Sequence, residues 1–200
     1  MPEALIVIDV QNDFCPGGAL AVPGGDEIVP GINALLPDYP VRIFTQDWHT
    51  ADHASFASRH PGKKPYEIFE MPYGPQVLWP DHCVQGSEGA AFHPCLANDA
   101  AQVVIRKGFD RDIDSYSAFF ENDRATPTGL EGYLRTRGVE RLVMVGLATD
   151  FCVHYSAIDA VRLGFAVRVE IDLCRAIDLD GSLAAALDAM HNAGVTLSSR

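Results

Sequence analysis

Cys152 stands where a thiol can act as a nucleophile. It follows the apolar run Leu142–Leu147 and the stretch Ala148-Thr149-Asp150-Phe151, at the expected start of a helix. A thiol in a first helical turn meets the positive end of the helix dipole and free backbone N–H groups, and both favour thiolate. The same N–H groups can hold an oxyanion. The alternative reading is a small buried hydrophobe, the usual state of a free cysteine. Cys15, Cys83, Cys95 and Cys174 lack this strand-to-helix setting. Asp9 ends the run Ala4–Ile8, and Lys107 follows Val103–Ile105. By themselves they read as a turn carboxylate and a solvated lysine. Brought to Cys152, they make a mechanism. The aspartate takes the thiol proton and later gives it to a leaving group, while the lysine holds the aspartate's charge and position.

A second cluster has ligand chemistry. Asp47 and His49 are two apart after the run Val41–Thr45, hence on one side of an extended segment. His53 follows, and His82 lies in Leu78-Trp79-Pro80-Asp81-His82-Cys83. One aspartate and two histidines with open positions suit Zn2+ or Fe2+ in a catalytic role. An isolated Asp-x-His is also a common surface pattern. His53, His60 and His93 read as ordinary loop histidines.

The elements that must position these residues alternate. Strand-like runs at Ala4–Ile8, Val41–Thr45, Val103–Ile105, Leu142–Leu147, Phe165–Ile171 and Val195–Leu197 are near-continuously apolar, as in parallel strands buried on both faces. Helices are expected over Asp26–Leu36, over Gly129–Arg137 with Thr128 as cap, over Asp150–Leu163 and over Leu179–Ala193. The prediction is an α/β fold: one domain over 1–200, with a doubly wound, mostly parallel sheet of about six strands flanked by helices. Sites in such sheets form at the carboxyl ends of the strands, where Asp9, Asp47, Lys107 and Cys152 fall. The segment at about 47–100 does not alternate, shows no long strand or helix, and holds five of the seven histidines. An insertion of that length is expected to be functional.

Composition excludes some classes. With 48% apolar residues, disorder is not the overall state. Fifteen basic residues against 27 acidic give a net charge of −12, which repels nucleic acid and anionic lipid. No apolar stretch approaches the ~18 residues of a membrane span, and the amino terminus lacks the basic region of a signal peptide. Five scattered cysteines without C-x-x-C read as reduced thiols. The expectation is a cytoplasmic protein acting on a small molecule, with homo-oligomerisation left open.

At this point the motifs converge on a family. Ile8-Asp9-Val10-Gln11-Asn12-Asp13-Phe14, Thr45-Gln46-Asp47-Trp48-His49, Leu78-Trp79-Pro80-Asp81-His82-Cys83-Val84, Arg106-Lys107-Gly108 and Val145–Val153 stand in family order across nearly the whole chain. The chain resembles the nicotinamidase/pyrazinamidase branch of the isochorismatase-like cysteine hydrolases. The resemblance implies a triad of Asp9, Lys107 and Cys152. It implies one divalent metal ion, Zn2+ or Fe2+ with Mn2+ also suitable, on Asp47, His49 and His82. Some members use a further ligand, for which His53 is nearest, but its spacing differs. Phe14 and Trp79 match positions that sandwich an aromatic ring. A cis peptide before Ala148 would turn the Ala148 and Cys152 N–H groups towards the oxyanion. Phe151 departs from relatives with a polar residue there. The implied reaction converts nicotinamide to nicotinate and ammonia, and pyrazinamide to pyrazinoate, through a cysteine thioester in NAD salvage. Two rival expectations are hydrolysis of another small carboxamide and a catalytically silent metal-binding or redox-sensing module. The second leaves Asp9 and Lys107 unexplained.

Overall fold

A computed structural model describes residues 3–199. In chain order the elements are β1 (Glu3–Ile8), α1 (Val29–Leu35), β2 (Val41–Asp47), β3 (Ile68–Met71), β4 (Gly74–Val77), β5 (Val103–Lys107), α2 (Leu130–Thr136), β6 (Arg141–Leu147), α3 (His154–Arg162), β7 (Ala166–Arg175), α4 (Ser182–Asn192) and β8 (Thr196–Ser198). Six strands form one parallel sheet in the order β5-β2-β1-β6-β7-β8. The chain therefore winds one way from β1 through β2 to β5, then the other way from β6. The winding reverses between β1 and β6, the position where α/β sheets open a crevice. The expected doubly wound parallel sheet is the fold observed.

β1 is central, and Ala4, Leu5, Ile6, Val7 and Ile8 are all buried in the main core. Each large aliphatic side chain there contributes about 1.5–3 kcal/mol over an exposed one. Gly146 allows β6 to come close at the site end. Its φ is +121°, and a Cβ there would lie 2.1 Å from the Ile8 carbonyl oxygen. Any side chain would push the strand that leads to Cys152 away from β1.

Helix boundaries differ from the sequence reading for local reasons. α1 begins at Val29, so that Pro30 falls in the first turn, where its missing N–H costs nothing. It tightens into a 3-10 turn at Leu36–Asp38. Thr128 accepts the Leu130 N–H at 3.2 Å, and Gly129 takes the left-handed conformation, so α2 starts one residue late. The expected start at Leu179 is a separate 3-10 turn, because Asp178 and Asp180 have positive φ. β7 runs past Ile171 because a register shift lets Cys174 pair with Gly146. The insertion holds no long element but does contain the antiparallel hairpin β3–β4, whose short strands the sequence reading did not resolve. Among the described residues, no helix is long and apolar enough to cross a membrane.

Candidate active site

Read along the sheet edge, β5 delivers Lys107 and β2 delivers Asp47, its register partner. β1 delivers Asp9, in a positive-φ turn, and β6 leads through Ala148 into the Thr149–Val153 turn that carries Cys152. Lys107 is fully buried. Its Nζ lies 2.8 Å from Asp9 Oδ2, donates to Asp47 Oδ1, donates to the Ser115 carbonyl at 3.1 Å, and is 3.5 Å from Cys152 Sγ. The sequence-predicted Asp9, Lys107 and Cys152 are thus one cluster, with Asp47 its fourth member. Thr45, which the sequence reading passed over as a strand residue, donates to Asp9 Oδ1 at 2.6 Å and accepts the Asp9 N–H at 3.2 Å.

The two carboxylates are driven apart. Burial pushes Asp9 up to about 6, and the opposing pull of Lys107 does not cancel it. Burial would also raise Asp47, but Lys107 and then His49 hold it well below the usual carboxylate range. Asp9 is therefore the group that can exchange a proton, while Asp47 stays ionised. Lys107 is raised well above its ordinary value by Asp47 and Asp9 in spite of burial, and remains a cation. The expected ready thiolate is not what these surroundings favour. Burial pushes Cys152 well up, Lys107 opposes it, and the two carboxylates add to the rise. The resting thiol is neutral and needs a base.

The turn holding Cys152 is π-helical, a local widening often found at functional sites. The Ala148 carbonyl accepts both Phe151 N–H and Val153 N–H at 3.1 Å, and the Leu147–Ala148 peptide is cis. Ser156 Oγ donates to the Cys152 carbonyl at 2.6 Å and accepts the Ala118 N–H at 2.8 Å. Asp150 accepts the Ile177 and Asp178 N–H groups at 3.1 and 2.8 Å, tying the turn to the segment before α4.

Asp47 also faces the histidines. His49 Nδ1 donates to the Gly108 carbonyl and His82 Nδ1 to the Pro80 carbonyl, each at 2.8 Å. With Nδ1 the donor, each Nε2 keeps its lone pair and points to Asp47 Oδ2, at 3.6 and 3.9 Å. His49 Nε2 is buried with no hydrogen-bond partner among the described residues. The three ligand atoms lie within 4.8 Å of one another, so the residues fit a divalent cation with open positions. Asp47 draws His49 upward against burial, so this carboxylate invites a positive charge at Nε2, proton or metal. Burial, then the neighbouring His49, push His82 down to about 4. Gly108 is a steric requirement, since a Cβ there would lie 2.5 Å from His49 Cε1. The His53 ring lies tilted against His49, centroids 4.4 Å apart, and with His49 and Asp114 it forms a second close group. Its nitrogens are already engaged by Ser55 Oγ at 2.8 Å and the Ile113 carbonyl at 3.3 Å.

A small pocket opens between the two clusters, lined by Phe14, Trp79, Tyr116, Phe151 and Ile177 over Cys152. Phe14 and Trp79 were expected there. Tyr116 and Ile177 come from loops whose placement leaves no periodic signal in sequence. Trp79 and Phe151 meet edge to face at 4.9 Å, which gives the departure at Phe151 a place in the wall. A larger open groove of about 740 Å³ beside α3 and α4 includes none of the acid, lysine, thiol or metal-type residues.

The chain matches the isochorismatase domain family over residues 3–200. A nicotinamidase of Acinetobacter baylyi is 56% identical over 192 residues, covering 96% of this chain and 90% of the relative. A solved nicotinamidase/pyrazinamidase of Acinetobacter baumanii is similar with a TM-score of 0.97 and 53% identity, over 98% of this chain and 95% of that one. A Pyrococcus horikoshii pyrazinamidase solved in complex with zinc is similar with a TM-score of 0.81 and 36% identity, over 100% of both chains.

Proposed function

Since the chain belongs to the isochorismatase family and is a nicotinamide amidohydrolase within it, we propose that Cys152 cleaves the carboxamide through a thioester. Asp9 moves the proton, Lys107 holds the charges in place, and Asp47, His49 and His82 carry one divalent ion, Zn2+ or Fe2+ with Mn2+ also suitable. The observation that carries this reading is the Lys107 ammonium within reach of Asp9, Asp47 and Cys152 in one buried cluster. Asp9 takes the Sγ proton as sulfur attacks the carbonyl carbon, and the carbonyl electron pair moves to oxygen. The Ala148 and Cys152 N–H groups receive that oxyanion. Collapse breaks the C–N bond, and Asp9 returns its proton so that ammonia leaves. Water then attacks the thioester, giving a proton to Asp9, and collapse expels sulfur, which takes that proton back. The acid nicotinate is released. An ion on Asp47, His49 and His82 supplies a Lewis-acidic point for the pyridine nitrogen, an orientation effect. The Pyrococcus pyrazinamidase solved in complex with zinc supports a metal ion in such an enzyme, and the close approach of Asp47, His49 and His82 supports these three as the residues that would hold it.

In this reading 1–200 is one catalytic domain, with the insertion at about 47–100 supplying metal and ring contacts. Pyrazinamide is a second substrate, and the physiological setting is NAD salvage in the cytoplasm. The deciding test is ammonia release from nicotinamide and from benzamide, which lacks the ring nitrogen. Turnover of nicotinamide with little of benzamide supports the reading. Equal rates would remove the ring nitrogen from recognition, and no ammonia from either would sink it.

Chelation is expected to remove both metal and turnover, and Zn2+, Fe2+ or Mn2+ to restore them. Metal analysis of His49→Ala should show the ion lost, while His53→Ala retains more because its nitrogens already bond Ser55 and Ile113. Equal loss in both variants would make His53 a ligand. Trp79→Ala is expected to raise the Michaelis constant roughly tenfold by removing one aromatic wall, with Cys152 still alkylated by iodoacetamide. Unchanged kinetics would take Trp79 out of the substrate site.

A further inference from the structure

We propose that Gln76, on β4 and outside the pocket lining, is a positioning residue that sets the aromatic wall of the pocket by holding the Tyr116 hydroxyl and the Asp114 carboxylate. This rests on the nicotinamide reading of that pocket. The hairpin stands apart from the main sheet, and its strands are mostly half-buried or exposed. Gln76 is nevertheless only 2% exposed. A buried amide is costly unless its groups are bonded, and this one is bonded at both ends. Nε2 donates to Asp114 Oδ2 at 2.6 Å and lies 2.8 Å from both the Tyr116 hydroxyl and the Val77 carbonyl. Oε1 accepts from Asn122 Nδ2 at 3.0 Å and from the Tyr73 hydroxyl at 3.3 Å.

The amide has one orientation. A carboxylate only accepts, so nitrogen must face Asp114. Asn122 is oriented in turn, because its Oδ1 accepts the Tyr116 N–H at 3.0 Å, which leaves Nδ2 for Gln76. The Tyr116 oxygen also accepts Trp79 Nε1–H at 3.1 Å. Gln76 and the indole thus converge on one hydroxyl oxygen from two sides. Tyr116 and Trp79 meet at 6.2 Å and Phe151 closes the triangle, 5.5 Å from Tyr116. Three rings that line the pocket thus meet at a tyrosine whose hydroxyl is held by an amide that does not line it. This gives the hairpin a purpose in the reaction, since it delivers Gln76 to the back of the wall.

The test uses two variants that keep chain length. Gln76→Met removes the side chain's hydrogen bonds at similar volume. Gln76→Glu removes the donors and sets a second carboxylate against Asp114. The expected result is a rise in KM for nicotinamide on the order of tenfold, the scale of one lost net hydrogen bond, with kcat and iodoacetamide alkylation of Cys152 held. In a Trp48→Phe background Trp79 is the sole tryptophan, and its acrylamide quenching should rise in both variants. Unchanged KM and quenching would overturn the proposal. So would kcat, alkylation and KM worsening together, which is general loosening. If one variant fails to fold, the other decides. A wild type that releases no ammonia would sink the functional reading instead, and quenching would then judge Gln76 alone.

Discussion

Cys152→Ala is expected to lower nicotinamide turnover by at least about a thousandfold, the scale seen when a nucleophile is removed from a residue triad. Fold and metal content should be unchanged, because the side chain holds neither. The three other buried thiols are not expected to take its place. Cys83 is buried and pushed well up by burial, with the Asp47 charge adding to it. Burial pushes Cys174, on β7, up to about 12 and Cys15 up to about 11. Neither has the Lys107 ammonium beside it, as Cys152 does at 3.5 Å. Mass spectrometry of enzyme quenched during turnover should find a nicotinoyl adduct on the peptide carrying Cys152. An adduct on Cys15 or Cys83, or normal turnover by Cys152→Ala, would remove the thioester assignment.

Asp9 and Lys107 should separate under mutation, although substitution of either is expected to lower turnover. Asp9→Asn keeps the shape and removes the base. The neutral, buried thiol then has no proton acceptor, and turnover should fall about 10²–10⁴-fold. Stability should hold, since Lys107 still pairs with Asp47. Lys107→Met leaves two buried carboxylates without their cation. Breaking a buried pair in this way costs about 3–5 kcal/mol. For a chain of this size each kcal/mol moves the melting point by about 2–4 °C, so calorimetry should show a drop of at least about 6 °C beside the lost turnover. A Lys107→Met protein that melts like the wild type would mean the lysine does not stabilise the two carboxylates. An active Asp9→Asn enzyme would assign the proton to another group.

The catalytic edge was legible because buried parallel strands are plain apolar runs, and Asp9, Asp47 and Lys107 interrupt or end those runs. Cys152 was legible from the strand-to-helix passage. Thr45 was not, since a threonine inside a strand reads as ordinary β-former and its bond to Asp9 crosses to another strand. Gln76 and its hairpin were hidden for a different reason. Four-residue strands are too short for a period to show, and Pro75 argues against a strand. The state of the thiol was misjudged because the helix start is visible in sequence, whereas burial and two facing carboxylates exist only after folding. The expected helix from Asp26 starts instead at Val29, because Pro30 fits the first turn of a helix and not its interior.

The strand order has a consequence for how the molecule comes into being. β1, β2 and β5 all precede β6 in the chain and are neighbours in the sheet. Asp9, Asp47 and Lys107 can neutralise one another as soon as those three strands pair, before β6 has left the ribosome. β1 then waits with an open edge for a partner from far downstream, a non-local pairing of the kind that slows folding and exposes intermediates to aggregation. The thiol is brought beside Asp9 and Lys107 through the pairing of β6 with β1, where Gly146 lies against Ile8. Cys152 is the last of the four clustered residues in chain order, so a chain truncated before β6 carries the two carboxylates and the lysine without the thiol.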